Sequence, residues 1–309
     1  MLEDLRAFVA VIDEKSLTRA AKKIFLTQSA ISRRIQQLED KLEAKLLDRA
    51  SRPPTSTALG NRVYERAVPI LRAVDLLAAL PREDAAPSGT LRLGVSQAIG
   101  DVILSDAVQR LKTEFPSLDV RLRAAPSPGL LQDVNSGHLD AAVVFLSPAS
   151  RPADRIVGKR LALLDVVVVQ SRQRPRFRRQ IRVSTLASED WILNPEGCKY
   201  RSALERAIGE RGGTLRVIVD THGIEVQLRM IASGLGLGLV PRSILSASPS
   251  RRDLSVVDVA DFALNLDLWL AHLAELGNLR SAVDAFGEVV AKIFQHYDRK
   301  AARRRTSLI

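Results

Sequence analysis

The sequence predicts a two-part protein: an all-α, winged helix-turn-helix at the N-terminus and a larger α/β portion behind it. Three observations carry this. Ile31, Ile35, Leu38 and Leu42 step by four, three and four residues, which is one buried stripe along a helix. Pro53 and Pro54, flanked upstream by Arg49 and Arg52, break the helical pattern soon afterwards. From Thr90 onward short apolar runs alternate with helical patterns, which implies strands joined by helices in a mainly parallel sheet.

Composition narrows the function classes. The chain has 309 residues, 46 Lys and Arg against 35 Asp and Glu, and a net charge of +11. No apolar run approaches the ~18 residues of a membrane span. The start MLEDLRAFVAV is acidic and then amphipathic, unlike a secretory signal. A single cysteine, Cys198, excludes an intrachain disulfide and a four-cysteine zinc site, so a cytoplasmic location is expected. The positive charge is concentrated: +6 over 15–52, +6 over 171–183 and +5 over 299–309, leaving the remainder at −6. Such a balance suits a polyanionic partner, although a charge run is more often a solvated face.

Within the first fifty residues, Leu5, Phe8, Val9 and Ile12 predict a helix over 2–12. A second helix follows Thr18 as its N-cap, and Thr27 caps a third beginning at Gln28. On that third helix Ser29, Arg33, Gln36 and Asp40 project opposite the apolar stripe, with Gln28 at the exposed end and Ser32 on the flank. Forked donors at the end of an exposed helix are what base-edge and phosphate contact requires. Two short helices joined by a tight turn describe a helix-turn-helix, and the basic segment after it describes a wing. Spacing alone leaves a small helical bundle with a solvated face open.

The stretch SLTRAAKKIFLTQSAISRRIQQLEDKLEAKLLDR, followed by Arg52, Thr57 and Gly60, resembles the DNA-binding region of LysR-type transcriptional regulators. Ser29, Ser56 and Leu59 depart from the family pattern, which commonly has proline, leucine and alanine there. The resemblance implies a winged helix-turn-helix in which Thr27, Gln28, Ser29, Ser32, Arg33 and Gln36 face the groove and Arg49 and Arg52 lie on the wing. It also implies a C-terminal two-lobed effector domain of the periplasmic-binding-protein-like (type 2) fold, joined by a linker helix. The expected partners are double-stranded DNA with two-fold related half-sites, a small-molecule effector, further copies of the chain as dimer or tetramer, and RNA polymerase.

The linker pattern runs over 60–80, where Val63, Ala67, Ile70, Val74 and Leu77 repeat close to the period of a coiled-coil seam. Pro69 is expected to bend it. A polar, turn-rich stretch over 81–89 marks a boundary. The domains are therefore expected as 1–60 for DNA, 61–89 for the linker and 90–298 for the effector, with a basic disordered tail at 299–309. Lobe one is expected over 90–163 and 267–298, and lobe two over 164–266. Strands are expected at 91–95, 120–124, 139–145, 161–169, 191–193, 216–220, 236–240 and 266–271, with helices at 99–115, 199–210, 223–233 and 279–297.

In such folds a ligand sits at strand C-termini and helix N-termini, where unpaired N–H groups favour anions. That places Ser96, Gln97, Ile99, Ser127, Phe145 and Ser147 on lobe one and Asn194, Arg201, Thr221, His222 and Pro241 on lobe two as effector-binding candidates. Each taken alone is also an ordinary capping or turn residue. The effector is expected to be an anionic metabolite such as a carboxylate or sugar acid.

Other features fit less. GLGLG at 234–238 lacks the G-x-G-x-x-G spacing and follows a helix. His138, His222, His272 and His296 show no metal spacing, so neither metal nor cofactor is expected. No catalytic motif appears, and no enzyme activity is expected. Cys198 lies beside Lys199 and Arg201, whose charges would lower a thiol pKa, but the peroxide sensors of this family use two cysteines. Two rivals remain from the residues: a small-molecule binding protein or enzyme with an incidental basic N-terminus, and a constitutive non-specific DNA binder.

Overall fold

The computed structural model describes residues 1–48, 55–79, 85–148, 150–151 and 156–306. The chain forms two compact units, one built on Met1–Glu83 and one built on Asp84–Asn135 and Leu139–Ile309.

In the first unit, α1 (Leu2–Glu14), α2 (Leu17–Lys23) and α3 (Gln28–Lys41) pack around Phe8, Val11, Ala20, Ile31, Ile35 and Leu38. Thr27 caps α3 by accepting from the Ala30 N–H at 3.2 Å. The cap of α2 is Ser16 rather than Thr18, because the Ser16 hydroxyl reaches the Arg19 N–H at 3.3 Å. Thr18 instead lies in the first turn of α2. Strands β1 (Leu47–Asp48) and β2 (Thr55–Ser56) pair antiparallel and form the base of the wing. Helix α4 (Ala58–Ala79) runs unbroken across Pro69. Val63, Tyr64, Ala67, Val68 and Leu71 turn into this unit's own core, whereas Ile70 and Leu77 stay 48% and 67% exposed.

The second unit is built on β3 (Gly89–Ser96), β4 (Leu118–Ala125), β5 (Ala141–Leu146), β6 (Ile156–Ser171), β9 (Gly238–Pro241), β10 (Leu254–Val256) and β11 (Leu264–Leu273). They form one sheet in the order β10-β6-β11-β5-β3-β4, with β9 also on β6. A separate parallel pair is β7 (Asp190–Leu193) with β8 (Arg216–Asp220). Only β4, β3 and β5 run parallel in the large sheet; β6 pairs antiparallel with β9, β10 and β11, and β11 antiparallel with β5. The expected mainly parallel sheet is thus mixed. The long strands β6 and β11 lie side by side and carry the chain between two lobes, so they enter the sheet without the crossover helix that parallel neighbours need.

Lobe one carries α5 (Gly100–Glu114) and α6 (Ser127–Asn135). Lobe two carries α7 (Lys199–Gly209), α8 (Ile224–Ala232) and α9 (Arg242–Ala247). Helix α10 (Arg280–Thr306) packs on α5 and α9 through Ala282, Val283, Phe286, Val290 and Phe294. Its backbone stays helical through Thr306, where composition alone suggested a disordered tail. Helices α6 and α9 and strand β10 are not among the expected elements; they are only nine, six and three residues long.

Candidate nucleic-acid interface and ligand cleft

The recognition helix presents two opposed faces. Ile31, Ile35 and Leu38 are buried, while Thr27, Gln28, Ser29, Arg33 and Gln36 are exposed and Ser32 is half-buried. The Thr27 and Ser29 hydroxyls lie 3.0 Å apart, and Gln28 Oε1 accepts from the Thr18 hydroxyl at 3.4 Å. Arg33 and Arg34 are adjacent but have different surroundings. Arg34 turns toward Glu3 and Asp4 at 3.8 and 3.9 Å, whereas Arg33 has no ion pair among the described residues. Asp4 itself is buried, which opposes its ionisation. Hydrogen bonds from Lys41 Nζ (2.7 Å) and the N-terminal ammonium outweigh that cost, so its pKa falls below the usual aspartate value. The charge on one side of α3 is thereby matched inside the unit, and Arg33 keeps an open guanidinium fork on the other.

The wing base is fixed by backbone contacts. Glu39 Oε1 accepts from the Leu46 and Leu47 N–H groups at 2.8 and 3.2 Å. The Thr57 hydroxyl donates to Lys45 O at 3.0 Å and accepts from the Gly60 N–H at 2.9 Å. A Cβ on Gly60 would lie 2.2 Å from Leu46 O, so only glycine lets α4 start this close to the wing. The wing candidates Arg49 and Arg52 lie outside the described residues.

The second unit closes around a cavity at the C-terminal ends of β3 and β7. Ser96, Gln97, Ser127 and Asn194, all candidates from the sequence, line it together with Ala98, Pro126, Gly197, Cys198 and Lys199. The Ser127 hydroxyl accepts from the Phe145 N–H at 3.0 Å, and Asn194 Nδ2 donates to Thr221 O at 3.2 Å, so each lobe fixes its own wall. The cavity holds about 10 Å³, room for at most one water. The buried Phe145 and Tyr200 rings meet at 5.2 Å and 57°. Gly197 brings its backbone to Pro126, whose Cβ would be 3.4 Å from a side chain there.

The remaining candidates are placed differently. Ile99 is buried as the N-cap of α5, Pro241 is buried at the end of β9, and Ser147 and His222 are exposed. None of the four lines the cavity. Thr221 is buried beside Asn194. Arg201 is buried and ion-paired to Glu205 at 2.7 Å, Asp220 at 2.8 Å and Glu196 at 3.5 Å, so its charge is already met within lobe two.

Sequence reasoning missed Lys199, Gly197 and Tyr200. The start of α7 after the Asn-Pro-Glu-Gly turn was the signal available for them. The Cys198 thiol is pushed up by burial, against the opposing effect of the Tyr200 and Arg201 N–H groups and the Arg201 charge. That is the reverse of what its cationic neighbours suggested, because desolvation outweighs them. Among the described residues no cluster could hold a metal ion, and no helix is long and apolar enough to cross a membrane.

Residues 2–61 match the family described as bacterial regulatory helix-turn-helix protein, lysR family, and residues 84–295 match the LysR substrate binding domain. Curated relatives include the HTH-type transcriptional regulator CzcR of Bacillus anthracis, 29% identical over 242 residues, covering 78% of this chain and 80% of that one. BenM of Acinetobacter baylyi is 28% identical over 248 residues, covering 79% and 81%. Among solved structures, a full-length OxyR variant from Pseudomonas aeruginosa shares the fold with a TM-score of 0.73 at 20% identity, covering 94% of each chain. Full-length CbnR in complex with its target DNA matches with a TM-score of 0.59 at 19% identity, covering 95% of this chain and 99% of that one. With both parts of the chain matched and in the family's order, this protein belongs to the LysR family and is a LysR-type transcriptional regulator, a DNA-binding protein controlled by an effector.

Proposed function

We propose that α3 reads the major groove through Gln28, Ser29, Ser32, Arg33 and Gln36, capped at Thr27, and that Arg49 and Arg52 of the wing meet the adjacent backbone. The observation that carries this is the split between the two arginines: Arg34 is tied to Glu3 and Asp4 while Arg33 is left open to solvent. The exposed Ile70 and Leu77 on α4 support a helix seam between two copies, which would present two recognition helices to a two-fold site. The linker over 61–89 then separates a DNA-binding part, 1–60, from an effector part, 90–298. Phosphate contacts supply most of the affinity and base contacts the register.

The effector site is the cleft between the lobes, with Ser96, Gln97, Ser127 and Asn194 as its converging polar groups. A small molecule bearing an acid group shifts the population between closed and open lobes, and so the placement of paired DNA-binding units before RNA polymerase. No catalysis and no cofactor are required, and the site of action is the cytoplasm.

The test is selection of binding sequences from a random DNA pool by the full chain. A dyad-symmetric motif is expected, and operator binding by the full chain should change when a metabolite library is added. Enrichment of no sequence would sink the groove-reading assignment, and a motif bound identically under every metabolite would sink the effector assignment.

A further inference from the structure

The N-cap of helix α8 is Gly223, a residue with φ 91° that offers no side chain to cap it. The first N–H of the helix, that of Ile224, is nevertheless occupied. It donates to Asp101 Oδ2 at 2.9 Å, from a residue 123 positions away in the first turn of α5 on the other lobe. A Cβ on Gly223 would stand 3.5 Å from the same oxygen, an ordinary contact, so the φ of 91° and not the carboxylate is what calls for glycine here. One carboxylate thus serves the positive ends of two helices, one in each lobe. It stands where an anionic ligand of lobe two would otherwise dock.

Two cations at the start of α7 complete the pattern. Arg201 is matched by Glu205, Asp220 and Glu196. Lys199, in the first turn of α7, lines the cavity and has no hydrogen bond or ion pair among the described residues. The cleft therefore has one unmatched positive group, at the α7 end, and a resident negative group at the α8 end. The neutral polar groups of Ser96, Gln97, Ser127 and Asn194 line the cavity with Lys199, and Asp101 bridges the lobes outside that lining.

We propose that Asp101 is the specificity-determining residue of this cleft: by occupying the N-terminus of α8 it excludes anions there. The effector is then a molecule with a single acid group directed at Lys199 and an uncharged hydrogen-bonding body. This rests on the cleft being the effector site. A ligand with a second anionic group toward α8 would have to displace Asp101, losing its hydrogen bond and meeting its charge. Asp101 also joins the lobes, so its release and cleft opening are one event.

The experiment uses the full chain as wild type, Asp101→Ala and Asp101→Asn, with inorganic sulfate as the dianionic probe and chloride at equal ionic strength as control. Amide exchange at Ile224 is the readout. In Asp101→Ala the Ile224 amide should exchange at least about tenfold faster than in wild type, and sulfate should restore its protection. In wild type sulfate should change nothing beyond chloride. Asp101→Asn keeps an acceptor without the charge. It should hold Ile224 partly protected and guards against a merely misfolded alanine variant. Equal Ile224 exchange in wild type and Asp101→Ala would overturn the contact. Sulfate protection of Ile224 in wild type as strong as in Asp101→Ala, or none in either, would overturn the exclusion of anions. These readings need no effector. Failure of the effector assignment would show separately, as operator binding indifferent to metabolites.

Discussion

Glu39 Oε1 accepts the Leu46 N–H at 2.8 Å, which ties the end of the recognition helix to the first strand of the wing. The carboxylate is buried and takes a second hydrogen bond from the Leu47 N–H and an ion pair from Lys45. Burial opposes its ionisation, but the two N–H groups and Lys45 outweigh it, so its pKa lies below the ordinary glutamate value. A carboxylate whose folded pKa is depressed contributes stability that is present above its unfolded pKa and is lost as pH falls through the folded value. Thermal unfolding of wild type and Glu39→Gln should therefore differ most near neutral pH and converge in acid. Replacement should cost about 1–3 kcal/mol at neutral pH. Curves that stay parallel into acid would count against the buried carboxylate as the cause.

Gly60 is enforced first by a backbone carbonyl, which cannot rotate away as a side chain could. A Cβ there would meet Leu46 O at 2.2 Å and Ser56 Oγ at 2.5 Å. Gly60→Ala should destabilise the N-terminal unit by about 1–3 kcal/mol and weaken DNA binding through the displaced wing. Calorimetry of the full chain should show the first unit's transition lowered and the second unit's unchanged. An unaltered first transition would refute the close approach.

Arg33 and Arg34 should part company on substitution. Arg33→Ala should cost about 1–3 kcal/mol of specific DNA affinity with little change in unfolding temperature. Arg34→Ala should instead loosen α3 from Glu3 and Asp4 and leave base preference intact. Titration of both variants against selected and scrambled sites checks this; a larger loss of specificity for Arg34 would reverse the assignment.

Arg201 holds together three acids of lobe two, two of them well exposed, so its removal should be felt in stability before ligand binding. Arg201→Gln should lower the unfolding temperature of the second unit, at a cost on the order of 1–3 kcal/mol. Effector response should persist wherever that unit stays folded. Loss of response without loss of stability would place Arg201 at the ligand.

Several parts of this protein were legible from residue order because they obey local rules. The stripe Ile31, Ile35, Leu38 needs only helical periodicity, and Thr27 at the head of α3 needs only capping chemistry. The same reasoning set Gln28, Ser29, Arg33 and Gln36 outward and put Ser96, Gln97, Ser127 and Asn194 after strands or at a helix start, where they line one cavity. It erred where the signals compete over short distances. Ser16 and Thr18 both satisfy the N-cap pattern, and only backbone geometry chooses Ser16. The basic end of α10 has the composition of a tail yet continues a helix already stabilised by Phe286, Val290 and Phe294 upstream.

What the sequence determined by itself is therefore the set of elements and the chemistry each one exposes: an outward polar face on α3, apolar strands, and polar residues at strand ends. Tertiary structure decided which of those groups remain available. Arg201 is engaged by three carboxylates, Arg34 by two, and Cys198 is held as a thiol by burial, while Arg33 and Lys199 keep their charge unmatched among the described residues. The pairing of Asp101 with Ile224 crosses 123 positions of chain. No periodicity or motif encodes such a contact, because its energy depends on where two lobes bring a carboxylate and a helix end together, and that is a property of the folded chain alone.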